Sequence, residues 1–230
     1  MAIDLNADVG EGFADDERLL DVVTSANVAC GFHAGSVETM RIACAAAAER
    51  DVAIGAHPSY RDRDGFGRRD LEVAHDVLHD DVAEQLATLS KVAEEEGAWV
   101  TYVKPHGALY TRSIADREVA RAIVGATYAY GVAMLAWPGS ELLEQARARG
   151  MEVFAEGFAD RGYANGRLVP RDQPGALLAA PEAARQAVEL ARAGEVRSIC
   201  VHGDSPGAAD LAAVVGTALV EAGFTLRRFT

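Results

Sequence analysis

The stretch WVTYVKPHGALY, residues 99–110, carries the pattern that decides the fold. Its first five residues, Trp99–Val103, form an apolar, β-branched and aromatic run of the length expected for a buried strand. The run stops at Pro105, which has no amide hydrogen for a strand ladder, and Gly107 lets the chain turn away. Two polar side chains, Lys104 and His106, stand where strand becomes loop. Lys104 is one of two lysines among 22 basic residues; elsewhere the chain uses arginine. Lysine offers a compact charge whose pKa responds to burial, so a lysine kept at the end of a buried strand marks a candidate functional group.

The same grammar recurs along the chain. Candidate strands are Ala2–Asn6, Ala26–Cys30, Val52–Ala56, Trp99–Val103, Val132–Ala136, Glu152–Ala155 and Ser198–Val201, with a weaker run at Thr225–Phe229. Between them lie segments with apolar spacing near 3.6, clearest from Val73 to Glu96, where Leu78, Val82, Leu86, Leu89 and Val92 share one face. The others span Asp16–Val23, Val37–Arg50, Asp116–Tyr130, Ser140–Arg149, Pro181–Ala193 and Pro206–Ala222. Gly97, Gly131, Gly150, Gly194 and Gly223 stand where helices end. Strands alternating with helices predict an α/β fold with a parallel sheet, either a closed β/α barrel or an open doubly wound sheet. The regular repeat favours the barrel. Because 230 residues are few for eight full units, the expectation is a distorted TIM-like barrel of about seven strands, in one domain over residues 1–230. The stretch Gly157–Gly175 fits neither pattern and is expected to be a lid or binding loop.

Composition narrows the function. A net charge of −13 argues against nucleic acid and anionic membrane surfaces. No apolar run reaches the ~18 residues of a membrane span, and the acidic start MAIDLNADVGEG has no signal-peptide character. Cys30, Cys44 and Cys200 are odd in number and widely spaced, as expected of buried free thiols in a cytoplasmic protein. Self-association into a homo-oligomer stays open.

In a β/α barrel the loops at the carboxyl ends of the strands converge on one mouth. The polar residues fall there: Asp4, Asn6, Asp8 and Glu11 on the first strand and its loop, Asn27 and His33 on the second, and His57 on the third. Lys104 and His106 end the fourth, Glu156, Asp160 and Arg161 the sixth, and His202 and Asp204 the seventh. Four of the six histidines thus sit just past four different strands. Such a gathering of acids and imidazoles predicts an acid–base site at this rim. The pair His75 and His79 in HDVLH matches zinc-protease spacing but has Asp76 for the glutamate, and reads as a solvated helix face. Lys91 reads as an exposed partner for glutamates. No GxxxxGK[ST] phosphate loop is present. Arg68, Arg69, Arg161, Arg167 and Arg171 are of the type that clamps carboxylate or phosphate, although solvent exposure explains each one singly.

Eight motifs, DLNADVGEGF, SANVACGFHAG, AIGAHPSY, GFGRR, YVKPHGALY, EGFADRGY, LVPR and ICVHGD, resemble in order and spacing the LamB/YcsF family of 5-oxoprolinase A subunits, from Ile3 to about Phe224. The resemblance implies a barrel related to glycoside hydrolases and deacetylases. It implies a cytoplasmic enzyme that opens 5-oxo-L-proline to L-glutamate with ATP and magnesium, together with subunits B and C. On this chain it implies a catalytic set of Asp8, Glu11, His57, Lys104, His106 and His202. A substrate- or phosphate-binding set would be Asn6, Asn27, His33, Tyr110, Glu156, Asp160, Arg161 and Asp204. Two alternatives stand beside it. One is a metal-dependent hydrolase of the deacetylase type, with Asp8, His33 and His57 as ligands; the other is a non-catalytic substrate-binding subunit. The chain departs from the family at Ser36, where aspartate is usual, and in shortened loops after Glu11 and around Glu195. Serine caps a helix as well as aspartate does.

Overall fold

The computed structural model describes residues 1–230. Seven parallel strands close on themselves: β1 (Ala2–Val9), β2 (Ser25–Ala29), β3 (Ala53–His57), β4 (Val100–Val103), β5 (Ala133–Ala136), β6 (Val153–Phe158) and, after a small hairpin, β9 (Ser198–Val201). Each pairs with its successor, and β9 pairs with both β6 and β1, which completes the ring. The hairpin consists of β7 (Tyr163–Ala164) and β8 (Arg167–Leu168). Helices α1 (Asp16–Leu20), α2 (Val37–Glu49), α3 (His75–Glu95), α4 (Gly107–Ser113), α5 (Arg117–Tyr128), α6 (Glu141–Ala148), α7 (Ala180–Ala193) and α8 (Ala208–Glu221) follow the strands. No helix is long and apolar enough to cross a membrane.

The strand side chains alternate between two environments, as pleating requires. Along β1, Ile3, Leu5, Ala7 and Val9 face the helices and belong to a continuous core of 55 buried residues. Asp4, Asn6 and Asp8 take the other face and fill the barrel lumen, all three essentially inaccessible to solvent. The lumen has its own small apolar plug at the amino ends of the strands. Ala53, Tyr102, Ala133 and Leu135 form it, with Phe154 and Phe229 packed below. The expected last strand is mostly this stopper: β10 (Thr225–Leu226) pairs with β1 only at Ala2 and Ile3, outside the ring. Beyond it, Phe229 turns under the barrel, with its ring 4.9 Å from that of Tyr102.

The stretch Gly157–Gly175, expected to be a lid or binding loop, is more regular than its sequence pattern indicates, because it contains a short hairpin. Asn165 and Gly166 both have positive φ (52° and 73°) and form the turn of the β7–β8 hairpin. An Asn-Gly pair between strand-forming residues is the strongest short hairpin signal, and it stands in the sequence as YANGRL. A bridge between Arg161 and Leu177 ties the far end of this excursion back to its start.

Candidate active site

From the plug upward the lumen is polar and hydrogen-bonded throughout. Asp4 accepts hydrogen bonds from Thr24 (2.6 Å), Ser25 (2.6 Å) and Ser198. One layer higher, Asn6 donates to Ser198 Oγ (2.7 Å), and Asn27 donates to Asn6 Oδ1 (2.7 Å) and Asp8 Oδ1 (2.9 Å). Tyr102, from the plug, donates its hydroxyl to Asn27 Oδ1 (2.7 Å). The room for that ring comes from Gly55, where a Cβ would lie 2.2 Å from the tyrosine.

Lys104 enters above this layer. Its Nζ lies 3.1 Å from Glu156 Oε2 and 3.3 Å from Asp8 Oδ1, and donates to Asn6 Oδ1 (3.2 Å) and Cys200 Sγ (3.0 Å). Burial alone would strip its charge, but Asp8, Cys200 and Glu156 together outweigh burial and hold its pKa well above the usual lysine value. Lys104 is therefore an ammonium fixed in the lumen. Burial pushes Glu156 up, against the pull of Lys104. Glu156 Oε1 and the Tyr110 hydroxyl are both buried without a well-aligned hydrogen-bond partner, although the two groups lie close enough to act on each other's protonation. The tyrosine, raised by burial and then by Glu156, stays protonated.

The histidines close the mouth. His57 holds the Lys104 carbonyl with Nδ1 (2.7 Å), and His106 holds the Phe66 carbonyl with Nε2 (2.9 Å). Their remaining nitrogens, His57 Nε2 and His106 Nδ1, face each other at 3.0 Å. His33 stacks flat on His106 with ring centroids 3.8 Å apart, and its Nε2 lies 3.2 Å from Glu11 Oε1. Burial is the largest influence on all three imidazoles and keeps them neutral, with His57 lowered to about 4. Burial, followed by the charges of Asp8 and Asp204, lifts Glu11 well above the carboxylate range. Gly107 follows His106 with φ +57°, and a Cβ there would lie 2.4 Å from the Gly67 carbonyl, so the tight turn that aims His106 inward demands glycine.

Two metal-type groupings of ligand atoms arise, Asp8–Glu11–His57 and Glu11–His33–His106. The trio Asp8, His33 and His57 expected from sequence does not close by itself; Glu11 joins the two halves.

The remaining rim residues lie further out. His202 Nδ1 sits 3.0 Å from Asp160 and its ring stacks on Phe158, while Phe158 also lies under Lys104. Despite burial, His202 and Arg171 hold Asp160 below its ordinary pKa. Asp204 is clasped by Arg68 and by Arg171 (3.1 Å), one from each side of the mouth. Arg161 spends its guanidinium on the carbonyls of Ala176 (3.1 Å) and Val169 (2.7 Å) and so braces the hairpin. His75 is exposed and the half-buried His79 pairs with Asp80, as a solvated face would.

Residues 3–230 match the LamB/YcsF family. The 5-oxoprolinase A chain of Streptomyces avermitilis is 48% identical, with 99% of each chain covered. The chain belongs to the LamB/YcsF family. A solved neighbour, a lactam utilization protein from Thermus thermophilus, superposes over 100% of both chains with a TM-score of 0.91 at 37% identity. A peptidoglycan N-acetylglucosamine deacetylase domain from Eubacterium rectale shares the fold alone, with a TM-score of 0.60 at 12% identity over 100% of this chain and 88% of that one. Ser36 caps α2 reciprocally with Thr39 (3.2 Å to Thr39 N, 2.7 Å back from Ser36 N), so the helix start is intact with serine at this position.

Sequence reasoning missed four lumen residues: Ser25, Tyr102, Ser198 and Cys200. Their signal was period two. Tyr102, Lys104 and His106 alternate inward, as do Ser198, Cys200 and His202.

Proposed function

We propose that this chain is the A component of an ATP-dependent 5-oxoprolinase, acting with subunits B and C to hydrolyse the lactam of 5-oxo-L-proline to L-glutamate. The observation that carries the reading is the buried pair of Glu156 Oε1 and the Tyr110 hydroxyl, neither with a well-aligned hydrogen bond, beside the Lys104 ammonium. A buried polar atom without a partner calls for one. A five-membered lactam holds its N–H and C=O on the same edge, and this pair offers an acceptor for the first and a donor for the second.

An unactivated lactam is a stable amide. ATP supplies the activation as a co-substrate when its γ-phosphoryl group passes to the lactam oxygen and ADP leaves. Water then attacks the activated carbon, the C–N bond breaks as the ring nitrogen takes a proton, and a second water hydrolyses the resulting γ-glutamyl phosphate to glutamate and phosphate. The site residues match these needs. Lys104 and Tyr110 lie where negative charge grows on the oxygen, and each such donor is typically worth ~2.7–4 kcal/mol. The neutral imidazoles of His57 and His106 are in the protonation state a base requires. Glu156 Oε1, as the acceptor of the ring N–H, holds the nitrogen that must take up a proton.

Reconstitution with subunits B and C tests the reading. Glutamate and ADP should form together from 5-oxoproline and ATP with magnesium, and Lys104→Met and His106→Ala should abolish both. Full turnover by both variants would place the chemistry elsewhere.

A further inference from the structure

The facing nitrogens of His57 and His106 pose a problem that hydrogen bonding inside the protein does not solve. His57 Nδ1 and His106 Nε2 each lie on a backbone carbonyl, 2.7 Å and 2.9 Å away. A carbonyl only accepts, so both nitrogens must carry the hydrogen. In a neutral ring the other nitrogen then bears a lone pair. His57 Nε2 and His106 Nδ1 therefore present two lone pairs to each other at 3.0 Å. Something positive belongs between them.

The surroundings say what kind of positive group fits. Asp8 Oδ1 is 3.4 Å from His57 Nε2, and Glu11 Oε1 is 3.6 Å from His106 Nδ1. The contacts of Asp8 with Asn27, Lys104 and His57 all fall on Oδ1, which leaves Oδ2 for a ligand. His33 Nε2, 3.2 Å from Glu11 Oε1, orients that carboxylate. Two ligand atoms each about 2.1 Å from one ion stand about 3.0 Å apart at the right angle of an octahedral site and about 3.4 Å apart in a tetrahedral one, and the separation observed is 3.0 Å. Charge points the same way. Asp8, Glu11 and Glu156 are three buried carboxyls facing the single ammonium of Lys104. Burying an uncompensated carboxylate costs several kcal/mol; burial and the charge of Asp8 set Glu11 against ionising, and a dication between the rings would compensate its charged form together with Asp8.

We propose that His57 Nε2, His106 Nδ1, Asp8 and Glu11 form a binding site for one divalent first-row transition ion, with His33 positioning Glu11. Mixed imidazole and carboxylate donors suit zinc, manganese or cobalt rather than calcium. The proposal stands apart from the 5-oxoproline reading, because binding is measured without turnover.

The test uses the full chain, stripped with a chelator and dialysed separately against zinc, manganese and cobalt, with bound metal determined by elemental analysis after gel filtration. The proposal expects one equivalent of at least one ion per chain, and for cobalt a visible absorption band from nitrogen and oxygen ligands. Glu11→Gln and His106→Ala, checked for fold by circular dichroism, should weaken binding about tenfold or more, whereas His75→Ala, outside the site, should not. If a variant fails to fold, the stoichiometry and cobalt spectrum of the unaltered chain still decide. Substoichiometric binding of all three ions, or wild-type affinity in both folded variants, would leave only a shared proton between the rings and overturn the proposal.

Discussion

The ammonium of Lys104 lies 3.1 Å from Glu156 Oε2 in a lumen where the two side chains are 3% and 0% exposed. This pair connects β4 and β6 across the barrel and sets the charge of everything above it. Removing one member of a buried ion pair leaves the other unpaired, which typically costs ~3–5 kcal/mol. Lys104→Met is expected to destabilise the chain by about that much. The double variant Lys104→Met/Glu156→Gln should lose clearly less than the sum of the two single changes, by about 1 kcal/mol or more. Urea unfolding of the four proteins measures the coupling, and strict additivity would show that the pair is not a unit.

Asp4 gives the fold a pH dependence. Burial raises its carboxyl to about 6, although Ser198, Ser25 and Thr24 favour the charged form. Because the folded value lies above the unfolded one, the folded state holds the proton more tightly. The associated stability is full below about pH 4 and is lost as pH rises through about 6. The loss over that window is about 3 kcal/mol. Asp4→Asn cannot titrate, so its unfolding free energy should fall less between these pH values than that of the unaltered protein. Parallel slopes for the two proteins would contradict the assignment.

The clasp of Arg68 and Arg171 on Asp204 holds the hairpin excursion against the opposite side of the mouth. These arginines are partly exposed, so the pairs should add at most about 1 kcal/mol to global stability. Local stability is a separate quantity. Asp204→Ala should therefore leave the unfolding midpoint nearly unchanged while amide exchange across residues 162–176 accelerates. Unaltered exchange in that segment would show that the brace of Arg161 suffices alone.

Gly55 is the close approach that lets Tyr102 cross the lumen, since a Cβ there would meet the ring at 2.2 Å. Gly55→Ala should cost about 1–3 kcal/mol through overpacking. Tyr102→Leu should relieve that penalty if the ring is the obstacle, and thermal melts of the single and double variants check it.

Much of this architecture was legible. Seven apolar runs with helices between them read as a closed parallel barrel because burial on the helix side imposes a pattern that no polar function interrupts. The rim was legible because Asp8, His57, Lys104 and His106 each stand at a strand end. The lumen below was less so. Its polar filling depends on seven strands aligning Ser25, Asn27, Ser198 and Cys200 at one level, a relationship of register that one strand's residues do not encode. Cys200 read only as a buried free thiol, which it is, and its sulfur also accepts from Lys104. Arg161 read as an anion clamp because its type suits one, whereas the hairpin's carbonyls occupy it. Phe229 read as part of a strand, and only the open bottom of the barrel explains why it turns inward.

The most direct test of the central claim, that Glu156 and Tyr110 read the two halves of a lactam, is the kcat/KM of Tyr110→Phe for 5-oxoproline in the complex reconstituted with subunits B and C. The exchange removes one hydroxyl that has no well-aligned hydrogen bond in the protein, so the fold should survive it. The account predicts a fall of about 100-fold or more, the usual loss on removing one donor to a developing oxyanion, with the KM for ATP unchanged. A kcat/KM close to that of the unaltered protein would contradict it.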